Sequence, residues 1–167
     1  MLVIFGGLPG TGKTSIAREL ARRSGAVHLR IDSIEQAIRT SGVIAGPMND
    51  AGYRVGYAVA EDNVRLGRVV LADSVNPLSI TREAWRDVAL RTGVKAVEIE
   101  VVCSGHAEHR RRVEARRADI PGFRLPTWED VSAREYHPWN RPHVVIDTSG
   151  RSLGACVAEA EAALSAT

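Results

Sequence analysis

Two patterns of apolar and polar residues alternate along the chain. Short uninterrupted apolar runs, such as residues 2–5 and 144–146, are typical of parallel strands that are covered on both faces. Between the runs lie longer segments in which apolar residues recur every three or four positions, and this spacing predicts amphipathic helices. Alternating strands and helices predict an α/β fold with a parallel sheet and right-handed crossovers.

The pattern predicts about five parallel strands with helices on both faces, a three-layer α/β fold in one domain over residues 1–167. Strands are expected at residues 2–5, 27–31, 69–72, 94–103 and 144–146. Helices are expected at residues 14–24, 32–39, 51–67, 81–92, 106–119 and 153–164. Glycine, proline and asparagine predict a loop over 40–50, and prolines predict an irregular excursion over 120–142. Residues 104–142 would then form a lid with its excursion.

Composition removes several classes of function. The net charge of +2 is too small to indicate bulk nucleic-acid binding. No apolar stretch is long enough to span a membrane, and no basic segment precedes the first strand, so we expect a cytoplasmic protein. Cys103 and Cys156 match no metal-site spacing, and Cys103 is expected to be a buried thiol. The oligomeric state stays open.

The most informative motif lies between the first strand and the first helix. Residues 7–14 read Gly-Leu-Pro-Gly-Thr-Gly-Lys-Thr, a full match to the P-loop pattern in its required context. Its backbone N–H groups and the following helix N-terminus would cradle phosphates, with Lys13 on the β- and γ-phosphates, Thr14 on Mg²⁺ and Ser15 on the α-phosphate. We therefore expect ATP and Mg²⁺ to bind at Gly7, Leu8, Pro9, Gly10, Thr11, Gly12, Lys13, Thr14 and Ser15.

Two aspartates follow predicted strands at the edge of the sheet where ligands bind. Asp73 ends the third strand and is expected to support Mg²⁺, or else to serve as a strand-end turn residue. Asp32 follows the second strand and could take the proton of an acceptor hydroxyl, or cap the next helix. The two roles of Asp32 can coexist.

The predicted helix over 106–119 is strongly basic. Arg112 and Arg116 lie four residues apart and would share a face, from which a mobile lid could close over a transferring phosphoryl group. The alternative is a solvated basic helix. His106 and His109 are expected to be solvated residues at its start rather than metal ligands.

Three absences favour phosphoryl transfer to a small acceptor over nucleotide hydrolysis. Asp73 is followed by Ser74, so no second carboxylate stands ready to activate water. No Asn-Lys-x-Asp motif for guanine is present. The chain is also short for a remodelling ATPase with an added helical domain.

Together these residues resemble the small P-loop kinases grouped as AAA-type ATP-binding or zeta-toxin-like proteins, which include gluconate and shikimate kinases and chloramphenicol phosphotransferase. The resemblance rests on residues 7–14, Asp32, residues 73–76 and the Arg112/Arg116 pair. It implies that Asp32 is the base and that Arg112 and Arg116 are lid arginines. It also implies that Asp73 and Asn76 lie near acceptor or metal, and that the loop containing Thr148 borders the adenine.

The acceptor site is less well indicated. Candidate acceptor-binding residues are Asp32, Arg39, Asn76 and Arg82, with Tyr53, Tyr57 and residues 120–141 as further candidates. Trp85 is expected in the core, because its helix face is apolar, while Trp128 and Trp139 could contact the acceptor or a partner.

Three functions are compatible with these features. The first is transfer of the γ-phosphoryl group of ATP to a hydroxyl of a small molecule. The second is a kinase for nucleic-acid 5′-hydroxyls or nucleotide sugars, which the basic lid would suit although the modest net charge argues against it. The third is a nucleotide-switched binding module without transfer activity.

Overall fold

One parallel sheet runs through the computed structural model, which describes residues 1–43 and 45–166. The order of its strands is β2-β3-β1-β4-β5, and every neighbouring pair is parallel. The prediction of five parallel strands is confirmed. The strands are β1 (Leu2–Gly6), β2 (Val27–Arg30), β3 (Val70–Asp73), β4 (Ala96–Val102) and β5 (Val144–Asp147).

Helices cover both faces of the sheet. Alternate residues of β1 divide between two cores, because successive side chains of a strand point to opposite faces. Val3 and Phe5 pack with α1 and α7, whereas Leu2 and Ile4 pack with α3 and α4. The three-layer α/β fold is thereby confirmed. The helices are α1 (Lys13–Ser24), α2 (Ile31–Ser41), α3 (Ala51–Arg65), α4 (Ser79–Thr92), α5 (His106–Glu114), α6 (Trp128–Ser132) and α7 (Leu153–Ser165).

The basic helix is shorter than predicted. It ends at Glu114, so Arg116 lies beyond it and the expectation that Arg112 and Arg116 share a helix face is wrong. Beyond α5 the chain crosses toward β2, where Asp119 accepts hydrogen bonds from Arg18 and Arg30. These long-range ion pairs hold residues 115–119 away from a continued helix.

The excursion over 120–142 is ordered by short-range contacts as well. It contains α6, whose capping box pairs the Thr127 hydroxyl with the Asp130 N–H and the Asp130 carboxylate with the Thr127 N–H. Residue 44, within the predicted loop 40–50, and residue 167 lie outside the described residues. Among the helices described, none is long and apolar enough to cross a membrane.

Candidate active site

The loop between β1 and α1 has the backbone that a phosphate cradle requires. Gly7, Gly10 and Gly12 have φ values of 139°, 86° and 96°, which favour glycine. A Cβ on Gly7 would lie 2.2 Å from the carbonyl oxygen of Val101. Glycine is therefore required at position 7 for close packing as well as for the turn. The loop leads directly into α1, whose N-terminal N–H groups face the same space.

Asp73 is the centre of a buried polar cluster beside this loop. Strand register places it next to Phe5, at the end of β1. Its Oδ1 lies 3.4 Å from Lys13 Nζ and accepts a hydrogen bond from Thr14 Oγ1 at 3.3 Å. Its Oδ2 lies 3.1 Å from His28 Nε2. Three side chains from two elements thus hold one carboxylate at the mouth of the P-loop.

The electrostatics of this cluster suit a divalent cation. Burial by itself raises the pKa of Asp73, but the charge of Lys13 and the hydrogen bonds from His28 and Thr14 lower it to about 2. The carboxylate is therefore ionised at neutral pH. A carboxylate and a hydroxyl are ligands that Mg²⁺ prefers, and Mg²⁺ in such sites takes its other ligands from water and phosphate. Asp73 and Thr14 fit this donor set, and no larger cluster of metal-binding side chains occurs among the described residues.

Helix α5 packs directly on the P-loop. His109 is buried, with Nε2 2.8 Å from the Pro9 carbonyl oxygen. Because a carbonyl only accepts, the proton lies on Nε2. Val113 is so close to the loop that a Cβ on Gly10 would lie 2.5 Å from its Cγ2. The prediction of a solvated His109 is therefore wrong, whereas His106, one turn earlier, is exposed as predicted.

Arg112 fixes the loop after β5 to the P-loop. Its guanidinium donates to Thr148 Oγ1 at 2.7 Å, to the Thr148 carbonyl at 3.0 Å and to Glu108 Oε1 at 2.6 Å. The Thr148 hydroxyl in turn donates to the Thr11 carbonyl at 2.7 Å. Thr148 thus lies against the P-loop.

A single cleft of about 1000 Å³ runs along the carboxyl edge of the sheet. That volume is at the upper end of ordinary ligand sites, about 300–1,000 Å³, and leaves room for a nucleotide and a small acceptor. We call the side toward β5 and α7 the nucleotide end; it is lined by Gly10, Gly12, Lys13, Thr14, Ser15, Arg112, Thr148, Arg151, Leu153 and Cys156. The side toward α2 we call the acceptor end, after the role that the sequence predicts for Asp32; it is lined by Asp32, Glu35, Arg39, Phe123, Arg124, Leu125, Pro126, Asp130 and Arg134.

Asp32 lies in the first turn of α2 and lines the cleft, but it does not cap the helix. The cap position belongs to Arg30, and no side chain makes a capping hydrogen bond there. Glu35, one turn further along α2, also lines the cleft. Burial and the charge of Asp32 raise the pKa of Glu35, against the opposing charges of Arg39 and Arg134. The acceptor end therefore brings two carboxylates close together.

Two predicted acceptor residues lie outside the cleft lining. Asn76 is fully buried and donates from Nδ2 to the Phe5 carbonyl at 2.7 Å. Arg82 is also buried, donates to the His137 carbonyl at 2.7 Å and lies 4.6 Å from the ring of Trp139. Both side chains are bound within the fold, so their expected acceptor contacts are not supported. Trp85 is in the core, as predicted.

Sequence reasoning missed several residues in the cleft and one in the buried cluster beside it. His28 was not predicted as a site residue because it lies in a strand, and nothing in the local sequence pattern indicates its contact with Asp73. Glu35 could have been found, because it follows Asp32 by one helical turn. Arg124 and Arg134 belong to the excursion, where no periodic pattern orients a side chain.

Known proteins resemble this chain over most of its length. Curated relatives include uncharacterized proteins of Mycobacterium tuberculosis and Mycobacterium bovis, each 28% identical over 169 residues, which cover 92% of this chain. The chain spans about a third, 33%, of the length of these curated relatives.

Solved structures match the whole fold. The Mycobacterium tuberculosis APS kinase CysC in complex with AMPPNP and APS has a TM-score of 0.74 at 24% identity, covering 98% of this chain and 96% of that one. A gluconokinase from Sinorhizobium meliloti has 0.66 at 19%, covering 98% and 91%. Chaetomium thermophilum Kti12 in complex with ADP-AlF3 has 0.67 at 20%, covering 98% of both chains. At these identities the likeness shows the fold.

A family model that matches most of the sequence shows the family of this chain. The model described as AAA domain matches residues 2–131, which include the P-loop, Asp32, Asp73, Arg112 and Arg116. The match ends within α6, so Arg134 and the lining residues that follow β5 lie beyond it. The resemblance stated from the sequence is thereby confirmed, and the chain belongs to the AAA domain family.

Proposed function

We propose that the protein transfers the γ-phosphoryl group of ATP to a hydroxyl of a small molecule. The observation that carries the proposal is the continuous cleft in which the P-loop lysine Lys13 and the carboxylate of Asp32 line the same space. A kinase of this kind needs a phosphate cradle and an acceptor-orienting group at the two ends of one site.

At the nucleotide end, internal contacts hold the proposed binding residues beside the P-loop. The N–H groups of the P-loop and the Lys13 ammonium would hold the phosphates, and Arg112 and Thr148 would border the base. Thr14 and Asp73 would hold Mg²⁺, which would neutralise phosphate charge when bound. His28 keeps the Asp73 carboxylate in place.

At the acceptor end, Asp32 would accept the proton of the acceptor hydroxyl. The hydroxyl oxygen then forms a bond to the γ-phosphorus, the bond from that phosphorus to its bridging oxygen breaks, and ADP leaves with the electron pair. Arg116 follows α5 and lines the cleft. Its guanidinium could neutralise charge on the transferring group. Arg112 is committed to Thr148 and Glu108 instead.

The proposal is tested by following the phosphate. Purified protein is incubated with Mg²⁺, ATP labelled in the γ-position and a panel of hydroxyl metabolites, and products are separated from ATP and free phosphate. The expected result is a phosphorylated product formed in equal amount to ADP. Nucleotide binding without any phosphorylated acceptor, and with ADP formed only alongside free phosphate, would contradict the proposal and favour the switched binding module.

A further inference from the structure

The acceptor end contains arginines whose charge has no partner. Arg39, Arg124 and Arg134 line the cleft, and their guanidiniums make no hydrogen bond or ion pair with any residue within 1–43 and 45–166. Elsewhere the chain usually pairs its arginines: Arg65 contacts Glu61 at 2.6 Å, and Arg110 contacts Glu114 at 2.8 Å. Three carboxylates, those of Asp32, Glu35 and Asp130, line the same end and equal the arginines in number, but none of them is paired with these arginines. The three guanidiniums therefore have N–H donors that no protein group in the described part of the chain uses.

These three arginines come from separate segments and converge on the same carboxylates. Arg39 lies in the last turn of α2, Arg124 precedes α6 and Arg134 follows it. The charges of Arg39 and Arg134 both act on Glu35, and those of Arg124 and Arg134 both act on Asp130. Arg134 therefore lies near both of the others, although no carboxylate is within ion-pair distance of any of the three in the part of the chain described.

The nearby carboxylates do not pair with these arginines. Asp130 has another contact, and Asp32 and Glu35 are available to bind hydroxyl groups. Asp130 accepts a hydrogen bond from the Thr127 N–H at 2.9 Å in the cap of α6. Asp32 and Glu35 lie together on α2, where carboxylate oxygens can accept hydrogen bonds from hydroxyls. The acceptor end thus has carboxylates and one arginine on α2, and two arginines and the apolar side chains of Phe123 and Leu125 in the excursion.

We propose that the acceptor is a hydroxyl compound that carries an anionic group, a carboxylate or a phosphate, bound by Arg39, Arg124 and Arg134. The inference rests on the proposed function, because it places the hydroxyl at Asp32 and the anion at the arginines. Planar guanidiniums bind both kinds of oxyanion through paired N–H donors. Three unpaired guanidiniums in one cleft favour an anionic acceptor over a neutral one, since a neutral hydroxyl oxygen accepts only an uncharged hydrogen bond, which is weaker than the charge-assisted bond to an oxyanion.

The test measures binding, so that it is independent of transfer. Wild-type protein is saturated with Mg²⁺ and AMPPNP to fill the P-loop, and titrated calorimetrically with two matched series: glycerol, glycerate and glycerol 3-phosphate, then glucose, gluconate and glucose 6-phosphate. We expect at least one charged member to bind about tenfold more tightly than its neutral parent, the gain of one charge-assisted hydrogen bond. Whether the carboxylate or the phosphate member binds distinguishes the two anions.

Matched variants locate the binding site. Arg134→Gln should weaken the charged ligand about tenfold, whereas Arg54→Gln and Arg68→Gln, which change unpaired exposed arginines outside the cleft lining, should leave its affinity unchanged. Equal affinity for charged and neutral members, no detectable binding of any charged member, or unchanged binding in Arg134→Gln would each overturn the inference. Failure of the proposed function has a different signature, namely absence of a phosphorylated product while anion binding at the arginines persists.

Discussion

The two ends of the cleft differ in how their polar groups are satisfied. At the nucleotide end, Lys13, Thr14, Arg112 and Thr148 all contact other protein groups, and His109 braces the P-loop from behind. At the acceptor end, the arginines and the carboxylates of α2 face the cleft with few protein partners. One end is held in a fixed arrangement by internal bonds, while the other has charges to offer to a ligand.

The difference corresponds to what each end has to recognise. A triphosphate presents the same oxygens in every nucleotide, so a backbone cradle held by buried hydrogen bonds serves it with little reorganisation. An acceptor differs between enzymes of one fold, and its recognition depends on side chains that vary without disturbing the core. Substitutions should therefore have different consequences at the two ends.

The largest expected effect is at Lys13. Lys13→Ala removes the buried ammonium beside Asp73 and should lower kcat by about 10³-fold or more, the upper range for loss of one charge-stabilising donor. Steady-state kinetics with the acceptor found in the screen measure the loss. Lys95→Ala is the matched control, because Lys95 is the other lysine of the chain and is exposed. Comparable activity in the two variants would show that the P-loop does not act on phosphate.

Asp32→Asn should have the next largest effect, and of another kind. The amide keeps the size of the side chain but cannot take a proton, so kcat should fall about 10²-fold while the Kd for Mg²⁺ and AMPPNP stays within about twofold. Asp62→Asn, an exposed change on α3, should alter neither quantity. An intact kcat in Asp32→Asn would remove the base assignment and, with it, the functional distinction between the two ends.

Much of the fold and the nucleotide end was predictable because the signals are local. Apolar runs predicted all five strands within about two residues at each end. The P-loop consists of consecutive residues, and its glycines are needed for the backbone that the structure shows. The end of α5 was not predictable in this way, since the arginines of 115–119 favour helix locally and the interaction of Asp119 with Arg30 connects distant segments.

The acceptor end is different because its residues come from distant segments. Arg134 and Glu35 line one cleft only after the excursion has folded back on α2, where Gln36 donates to the Pro121 carbonyl at 3.2 Å. Asn76 and Arg82 follow β3 and were expected at the acceptor, but Asn76 in the loop and Arg82 in the first turn of α4 bind backbone carbonyls instead. The sequence alone does not indicate whether such a polar side chain binds a ligand or a backbone carbonyl.

A smaller effect is expected at His109, where the P-loop is braced. His109→Leu removes the donor to the Pro9 carbonyl and should loosen the loop, raising the Kd for Mg²⁺ and AMPPNP about tenfold through one lost buried hydrogen bond. His106→Leu is the control one turn away: both rings lie edge-on to Trp128, at 5.1 and 5.2 Å, but His106 is exposed. Equal Kd values for the two variants would mean that α5 does not support the nucleotide end.

The smallest expected effect concerns the attachment of the acceptor end to the sheet. Hydrogen bonding to Arg30 holds the pKa of Asp119 well below its ordinary value of 3.8, although burial opposes this. A carboxylate with a lowered pKa in the folded state stabilises the protein above its unfolded pKa, and that contribution is lost as the pH falls through the folded pKa. The carboxylate is partly exposed, so the free energy of unfolding should fall by less than about 1 kcal/mol in Asp119→Asn at pH 6.

Thermal unfolding of wild type and Asp119→Asn between pH 6 and pH 2 checks the sign. The stability difference should be constant down to about pH 4 and then shrink, because the wild-type carboxylate begins to take up protons in the unfolded state first. Sodium chloride at high concentration should reduce the difference at pH 6, as expected for a partly exposed ion pair. A stability difference that is independent of both pH and salt would show that Asp119 acts through packing. The charge of Asp119 would then not be what attaches the acceptor end to the sheet.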